Sequence, residues 1–117
     1  MPIKLLIIDD DRNLTDILKT SLEQKKFEVT IANSSAAGIE AARQVNPEVI
    51  LLDLMMPGID GWQVCAAIRA FSQSPILIFS GVINPDMVTR ALNEGADDYL
   101  VKPAPPSVVA SRLQRLA

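Results

Sequence analysis

Short apolar runs with strand-forming side chains alternate along the chain with stretches in which apolar residues recur every three or four positions. The runs predict strands at Ile3–Ile8, Phe27–Ile31, Glu48–Leu52, Pro75–Phe79 and Asp98–Val101. The first, third and fourth are apolar on both faces, as strands covered by helices on both sides must be, and so belong at the centre of a sheet. Leu14, Ile17, Leu18, Ser21 and Leu22 follow the spacing of one helix face, as do Val64, Ile68 and Phe71, and then Met87, Val88, Ala91 and Leu92. Each stripe is expected to pack on the sheet. Asn84 and Pro85 read as an N-cap and first helical position, and Gly95 as the stop of that helix. The fold class expected is α/β: a doubly wound five-stranded parallel sheet with five helices, in the flavodoxin-like strand order 2-1-3-4-5.

In such sheets, ligand sites gather outside the carboxyl ends of the strands, where the strand order reverses. Asp9 and Asp10 follow the first strand, Asp53 the third, Ser80 the fourth and Lys102 the fifth. The topology therefore brings together polar groups that the sequence scatters over almost its whole length.

Length and composition narrow the possibilities. A chain of 117 residues with 49% hydrophobic content suits one cored domain, taken as residues 1–117. The net charge of −3 and a pI near 4.8 argue against nucleic-acid binding by this domain, which needs a basic surface. No start of the secretory kind and no long apolar segment appear, so a cytoplasmic location without membrane contact is expected. The absence of histidine excludes Ser/His and Cys/His catalysis and histidine-type zinc sites, and the lone Cys65 excludes an internal disulfide.

Three carboxylates gathered at one edge repel one another unless one is protonated or a cation sits among them. A divalent ion is the simpler answer, and oxygen-only ligation by few protein groups suits Mg²⁺, commonly beside a phosphate. Asp53 is then a candidate nucleophile forming an acyl phosphate, Ser80 a donor to a phosphoryl oxygen, and Lys102 a neutralising cation. Taken singly, the residues have plainer readings: Asp9, Asp10 and Asp11 as a turn capping the first helix, Ser80 as a turn hydroxyl, Lys102 as an exposed cation. Asp11 is read as a cap only, and Trp62 and Cys65 as structural.

The segments LLIIDDD, LLDLMMPGIDG, FSG and ADDYLVKP, in that order and spacing, resemble the receiver domain of bacterial two-component response regulators over almost the whole chain. The resemblance implies that Asp53 takes a phosphoryl group from a histidine kinase or histidine phosphotransfer protein. It implies a Mg²⁺ site in which Asp10 and Asp53 are direct ligands, Asp9 acts mainly through water, and Met55 offers its backbone carbonyl. Ser80 takes the place of the switch hydroxyl, Tyr99 that of the switch aromatic and Lys102 that of the family's lysine, followed by a cis peptide at Pro103. Phosphorylation would then remodel the surface of the fourth helix, fifth strand and fifth helix, for a downstream effector domain or protein to read. Both a stand-alone regulator and an N-terminal domain fit.

Departures from the family pattern fall near the output face. Gly81 replaces the usual alanine, with a more mobile loop expected; Ala104 replaces an aromatic, and Val108 an acid. Arg90, Asp97, Asp98 and Arg112 remain where the family has a charged dimer face, so a phosphorylation-dependent homodimer stays open, with the missing acid at 108 against its usual form. Met55 and Val82 stand at positions that influence attack by water, and neither side chain can orient one, so slow self-dephosphorylation is expected.

Three other functions compete. A haloacid-dehalogenase-like phosphatase wants a second acid two residues after the nucleophile, where this chain has Met55. A flavodoxin-like cofactor binder wants a phosphate loop after the first strand, where this chain has acids. A degenerate receiver would act as an interaction module without phosphorylation.

Overall fold

The computed structural model describes residues 1–81 and 84–117. Five strands, β1 (Ile3–Ile8), β2 (Phe27–Ala32), β3 (Val49–Leu52), β4 (Ile76–Ser80) and β5 (Asp98–Val101), alternate with five helices, α1 (Arg12–Glu23), α2 (Ser35–Val45), α3 (Gly61–Arg69), α4 (Pro85–Asn93) and α5 (Pro106–Leu116). All neighbouring strands are parallel and the sheet order is β2-β1-β3-β4-β5, as the sequence implies.

Side chains alternate across the central strands, so each strand feeds two cores. Leu6, Ile8, Ile50, Leu52, Ile76 and Ile78 join Val64, Cys65, Ile68 and Ala91 on one face. Leu5, Ile7, Val49, Leu51, Leu77 and Phe79 join Leu18, Leu22, Val109 and Leu113 on the other. Both faces are dry, which is why these strands carry almost no polar residue.

Ladder boundaries move slightly from the sequence reading: β2 runs on to Ala32, β3 starts at Val49, and β4 covers Ile76–Ser80, making Ser80 the last strand residue. Two stripe residues are corrected outright. Ile17 is 59% exposed and Leu92 is 38% exposed, so neither packs on the sheet. The buried line of α1 is Thr15, Leu18 and Leu22, and position 17 lies about 100° around the helix from position 18, off that line. Thr15 takes a core place despite its hydroxyl, because that hydroxyl donates to the Arg12 carbonyl at 3.1 Å.

Local capping is as the sequence suggests. Asp11 caps α1 by accepting from the Leu14 N–H, and Asn84 caps α4 by accepting from Asp86 and Met87 ahead of Pro85. Gly95, just past α4, has φ +113°, a left-handed conformation that glycine adopts without a Cβ clash. At α3, a Cβ on Gly61 would meet the Leu54 backbone at 2.6 Å, so only glycine lets the loop after β3 fold back this tightly.

Arg69, at the end of α3, is a clamp with no local sequence signal. Its guanidinium donates to the carbonyls of Ser72, Ser74 and Gly95 and pairs with Asp97 at 3.1 Å, while Asp97 also accepts from the Ile76 N–H. One planar cation thus ties α3, the start of β4 and the turn after α4. Arg69→Ala is expected to cost about 3 kcal/mol in urea unfolding, because several acceptors lose their donor together. Arg69→Lys should recover little of it, since an ammonium cannot span that fork of acceptors.

Candidate functional site

Strand register carries the ends of β1 and β3 to one level, pairing Ile8 with Leu52, so the next residue on each strand is an aspartate. The Asp53 N–H donates to the Ile8 carbonyl at 2.9 Å, extending the ladder by one step. On the other side Ser80 pairs with Val101, and the Lys102 N–H donates to the Ser80 carbonyl at 2.9 Å. The backbone alone therefore delivers Asp9, Asp53, Ser80 and Lys102 to the same rim.

The side chains converge there. Oxygens of Asp9, Asp10 and Asp53 lie within 4.8 Å of one another, with Asp9 and Asp53 buried and Asp10 exposed. The Lys102 ammonium is 2.6 Å from Asp9 Oδ2 and 3.8 Å from Asp53 Oδ2. Asp53 Oδ1 accepts from the Met55 N–H at 3.3 Å, and Asp9 Oδ1 from the Asp11 N–H at 3.0 Å. Burial pushes the Asp53 carboxyl above the usual carboxylate range; Lys102 opposes that shift, Asp9 adds to it, and hydrogen bonds from Met55 and Ser80 oppose it. The site thus holds an anion where its charge costs energy, within reach of one cation and two further acids.

The donor set fits Mg²⁺: three carboxylates at one point, two of them buried, in a chain with no histidine and with its one cysteine buried in the core. The Cys65 thiol is fully buried in the core and pushed up to about 12 by burial, as a structural cysteine should be.

Tyr99 is 45% exposed on β5. With Ser80, Leu54, Ile78 and Val88 it lines a small cavity of about 10 Å³, room for about one water. The peptide between Lys102 and Pro103 is cis, as the resemblance implied. Trp62 is partly buried against the core, with the Arg90 guanidinium 5.1 Å from its ring. Some charges around α4, β5 and α5 are engaged within the chain: Asp98 pairs with Arg112 at 3.2 Å, Asp97 pairs with Arg69, and Arg90 lies over the Trp62 ring. Beside Gly81 an added Cβ would sit 3.7 Å from that of Lys102, ordinary contact, so spacing does not require glycine there. Val82 lies outside the described residues, while the Met55 side chain is exposed at the rim.

Sequence reasoning passed over Asn33 and Thr15. The Asn33 amide donates to the Asp9 carbonyl at 2.8 Å and to Thr15 Oγ1 at 3.2 Å, bracing the loop that carries the acids. Its place directly after Ala32, the last residue of the alternating strand β2, is its sequence sign.

A doubly wound sheet with acids, a hydroxyl and a lysine at its switch point defines a class, and comparison with known proteins specifies it. Residues 5–114 match the family model of the response regulator receiver domain, and the chain belongs to that family. It is 38% identical over 110 residues to the transcriptional regulatory protein AfsQ1 of Streptomyces coelicolor, covering 94% of this chain and 49% of that protein. It is 33% identical over 111 residues to the DNA-binding response regulator MtrA of Mycobacterium tuberculosis, covering 95% and 49%. The chain thus spans about half the length of the curated relatives it matches. Among solved structures, the chemotaxis protein CheY4 of Vibrio cholerae superposes with a TM-score of 0.93 at 28% identity, covering both chains fully. A CheY-like receiver domain from Methanospirillum hungatei gives 0.93 at 25% identity, covering 98% of this chain and 93% of its own. The protein is therefore a receiver domain of the two-component signalling class, whose members are regulators rather than enzymes turning over an external substrate. No helix among the described residues is long and apolar enough to cross a membrane.

Proposed function

We propose that residues 1–117 form one receiver unit in which Asp53 accepts a phosphoryl group from a phosphohistidine of a sensor kinase or histidine phosphotransfer protein, in a Mg²⁺-dependent reaction in the cytoplasm. The observation that carries this reading is the buried Asp53 carboxylate at the end of β3, 3.8 Å from Lys102 and clustered with Asp9 and Asp10. An Asp53 oxygen forms a bond to phosphorus as the phosphorus–nitrogen bond breaks, and the electron pair stays on the donor imidazole, which takes up a proton. Lys102 holds charge on the transferred group and Ser80 donates to one of its oxygens. Asp10, Asp53 and the Met55 carbonyl would ligate Mg²⁺, with Asp9 acting through water; the ion supplies electrostatic stabilisation of the phosphoryl oxygens.

The response would run from Ser80 to Tyr99. Phosphorylation adds charge and strong acceptors, drawing Ser80 and Lys102 toward Asp53. Tyr99 shares a cavity wall with Ser80, so a Ser80 shift opens space for its ring and alters the surface of α4, β5 and α5. A downstream effector domain or protein would read that surface. With Asp97 and Asp98 already paired within the chain, a homodimer formed there on phosphorylation would rest on the exposed Leu92, Tyr99 and Val108.

Beryllofluoride with Mg²⁺ tests the coupling by amide NMR. The wild type should shift around Asp53 and also along β5 and α4. Ser80→Ala should keep the shifts near Asp53 and lose the distal ones; full distal shifts in that variant would sink the coupling.

A further inference from the structure

The three acids of the site are not held equally. The Asp9 carboxylate is fixed by Lys102 and by the Asp11 N–H, and Asp53 by the Met55 N–H and the ladder bond of its own amide. Asp10 is exposed, and among the described residues no hydrogen bond or ion pair holds its side chain. Its aim toward Asp53 comes from the backbone.

That backbone is braced from one side. The Asp9 N–H donates to the Ala32 carbonyl at 3.1 Å, the last ladder bond to β2. The ladder then stops, and the Asn33 side chain substitutes for the next step, donating 2.8 Å to the Asp9 carbonyl. A carbonyl can only accept, so the Asn33 group facing it is the NH₂. The Asp9 carbonyl and the Asp10 N–H share one planar peptide, so a bond that fixes the first fixes where the Asp10 Cα and side chain start. The other hydrogen of the same NH₂ goes to Thr15 Oγ1, itself bound to the Arg12 carbonyl, so the brace is anchored in the buried face of α1.

We propose that Asn33 is a positioning residue for metal binding: by holding the Asp9–Asp10 peptide it aims the Asp10 carboxylate at Asp53 and sets the affinity for Mg²⁺. This rests on the Mg²⁺ site of the proposed function. Mg²⁺ demands near-ideal octahedral geometry, so a small misplacement of one ligand costs affinity. Groups behind metal ligands usually change affinity by 10- to 100-fold when removed.

Calorimetric titration of the full chain with MgCl₂, at fixed ionic strength, tests it on the wild type, Asn33→Ala and Arg69→Ala. Asn33→Ala should weaken binding by about tenfold. Arg69→Ala removes the clamp at the opposite end of the sheet and touches no group of the brace, so it should lower the melting temperature while keeping the wild-type affinity. Equal Mg²⁺ affinity in Asn33→Ala and wild type would overturn the role of Asn33. An equal weakening in both variants would overturn it too, since a general loss of stability would then be the cause. A wild type that binds no Mg²⁺ would remove the metal site itself, an outcome distinct from either.

Discussion

Replacing Lys102 with methionine is expected to slow phosphoryl uptake from acetyl phosphate by on the order of 100-fold, the usual cost of losing a preorganised electrostatic contact in a transition state. Lys102 lies 2.6 Å from Asp9 and 3.8 Å from Asp53, with its stem beside the Phe79 ring, 5.5 Å from ammonium to centroid. Its charge is held on a packed stem rather than free in water, so little reorganisation is needed when the phosphoryl group arrives. Methionine keeps the stem and removes the charge. Rapid-mixing mass analysis at saturating Mg²⁺ measures the rate. A rate near that of the wild type would mean that Lys102 is only a structural counterion for Asp9.

Asp53→Asn has two expected outcomes of different kind. The amide cannot form an acyl phosphate, so uptake should vanish. Stability should move the other way. Burial raises the Asp53 carboxyl above its ordinary range, with the neighbouring Asp9 adding to the shift, so the folded state binds this proton more tightly than the unfolded chain. The stabilisation from that proton is present at acid pH and lost as pH rises through the raised value. At neutral pH the wild type holds an unfavourable buried anion that asparagine lacks, so Asp53→Asn should melt higher than wild type there. The gap should close as pH falls through the carboxylate range, and Mg²⁺ should narrow it by stabilising the wild type. Thermal melts across pH, with and without Mg²⁺, measure both trends; a variant that melts lower at neutral pH would mean that the Lys102–Asp53 attraction outweighs burial.

Much of this site is legible in the amino-acid order because the topology does the assembling. β1, β3 and β4 are apolar on both faces, so the first polar residues after them fall at one rim: Asp9, Asp53 and, at the last step of β4, Ser80. Helix faces are less legible. Ile17 follows an apolar period yet points to solvent, because the buried line of α1 runs through Thr15, Leu18 and Leu22 and position 17 lies off it. Contacts between distant segments leave no local trace at all. Arg69 reaches Gly95 across 26 residues and Asn33 reaches Asp9 across 24, and both look like ordinary surface polar residues in the sequence. The same limit applies to Asp98 and Arg112, whose types suggest an interface and which pair with each other in the fold.

Intact mass after incubation with acetyl phosphate, with and without Mg²⁺, on wild type and Asp53→Asn, is the most direct test. One phosphoryl group added to the wild type only when Mg²⁺ is present, and none added to Asp53→Asn, is the expected result. An adduct of equal extent on Asp53→Asn would place the acceptor elsewhere. No adduct on any protein, together with no binding of beryllofluoride, would leave a domain that acts by interaction without phosphorylation.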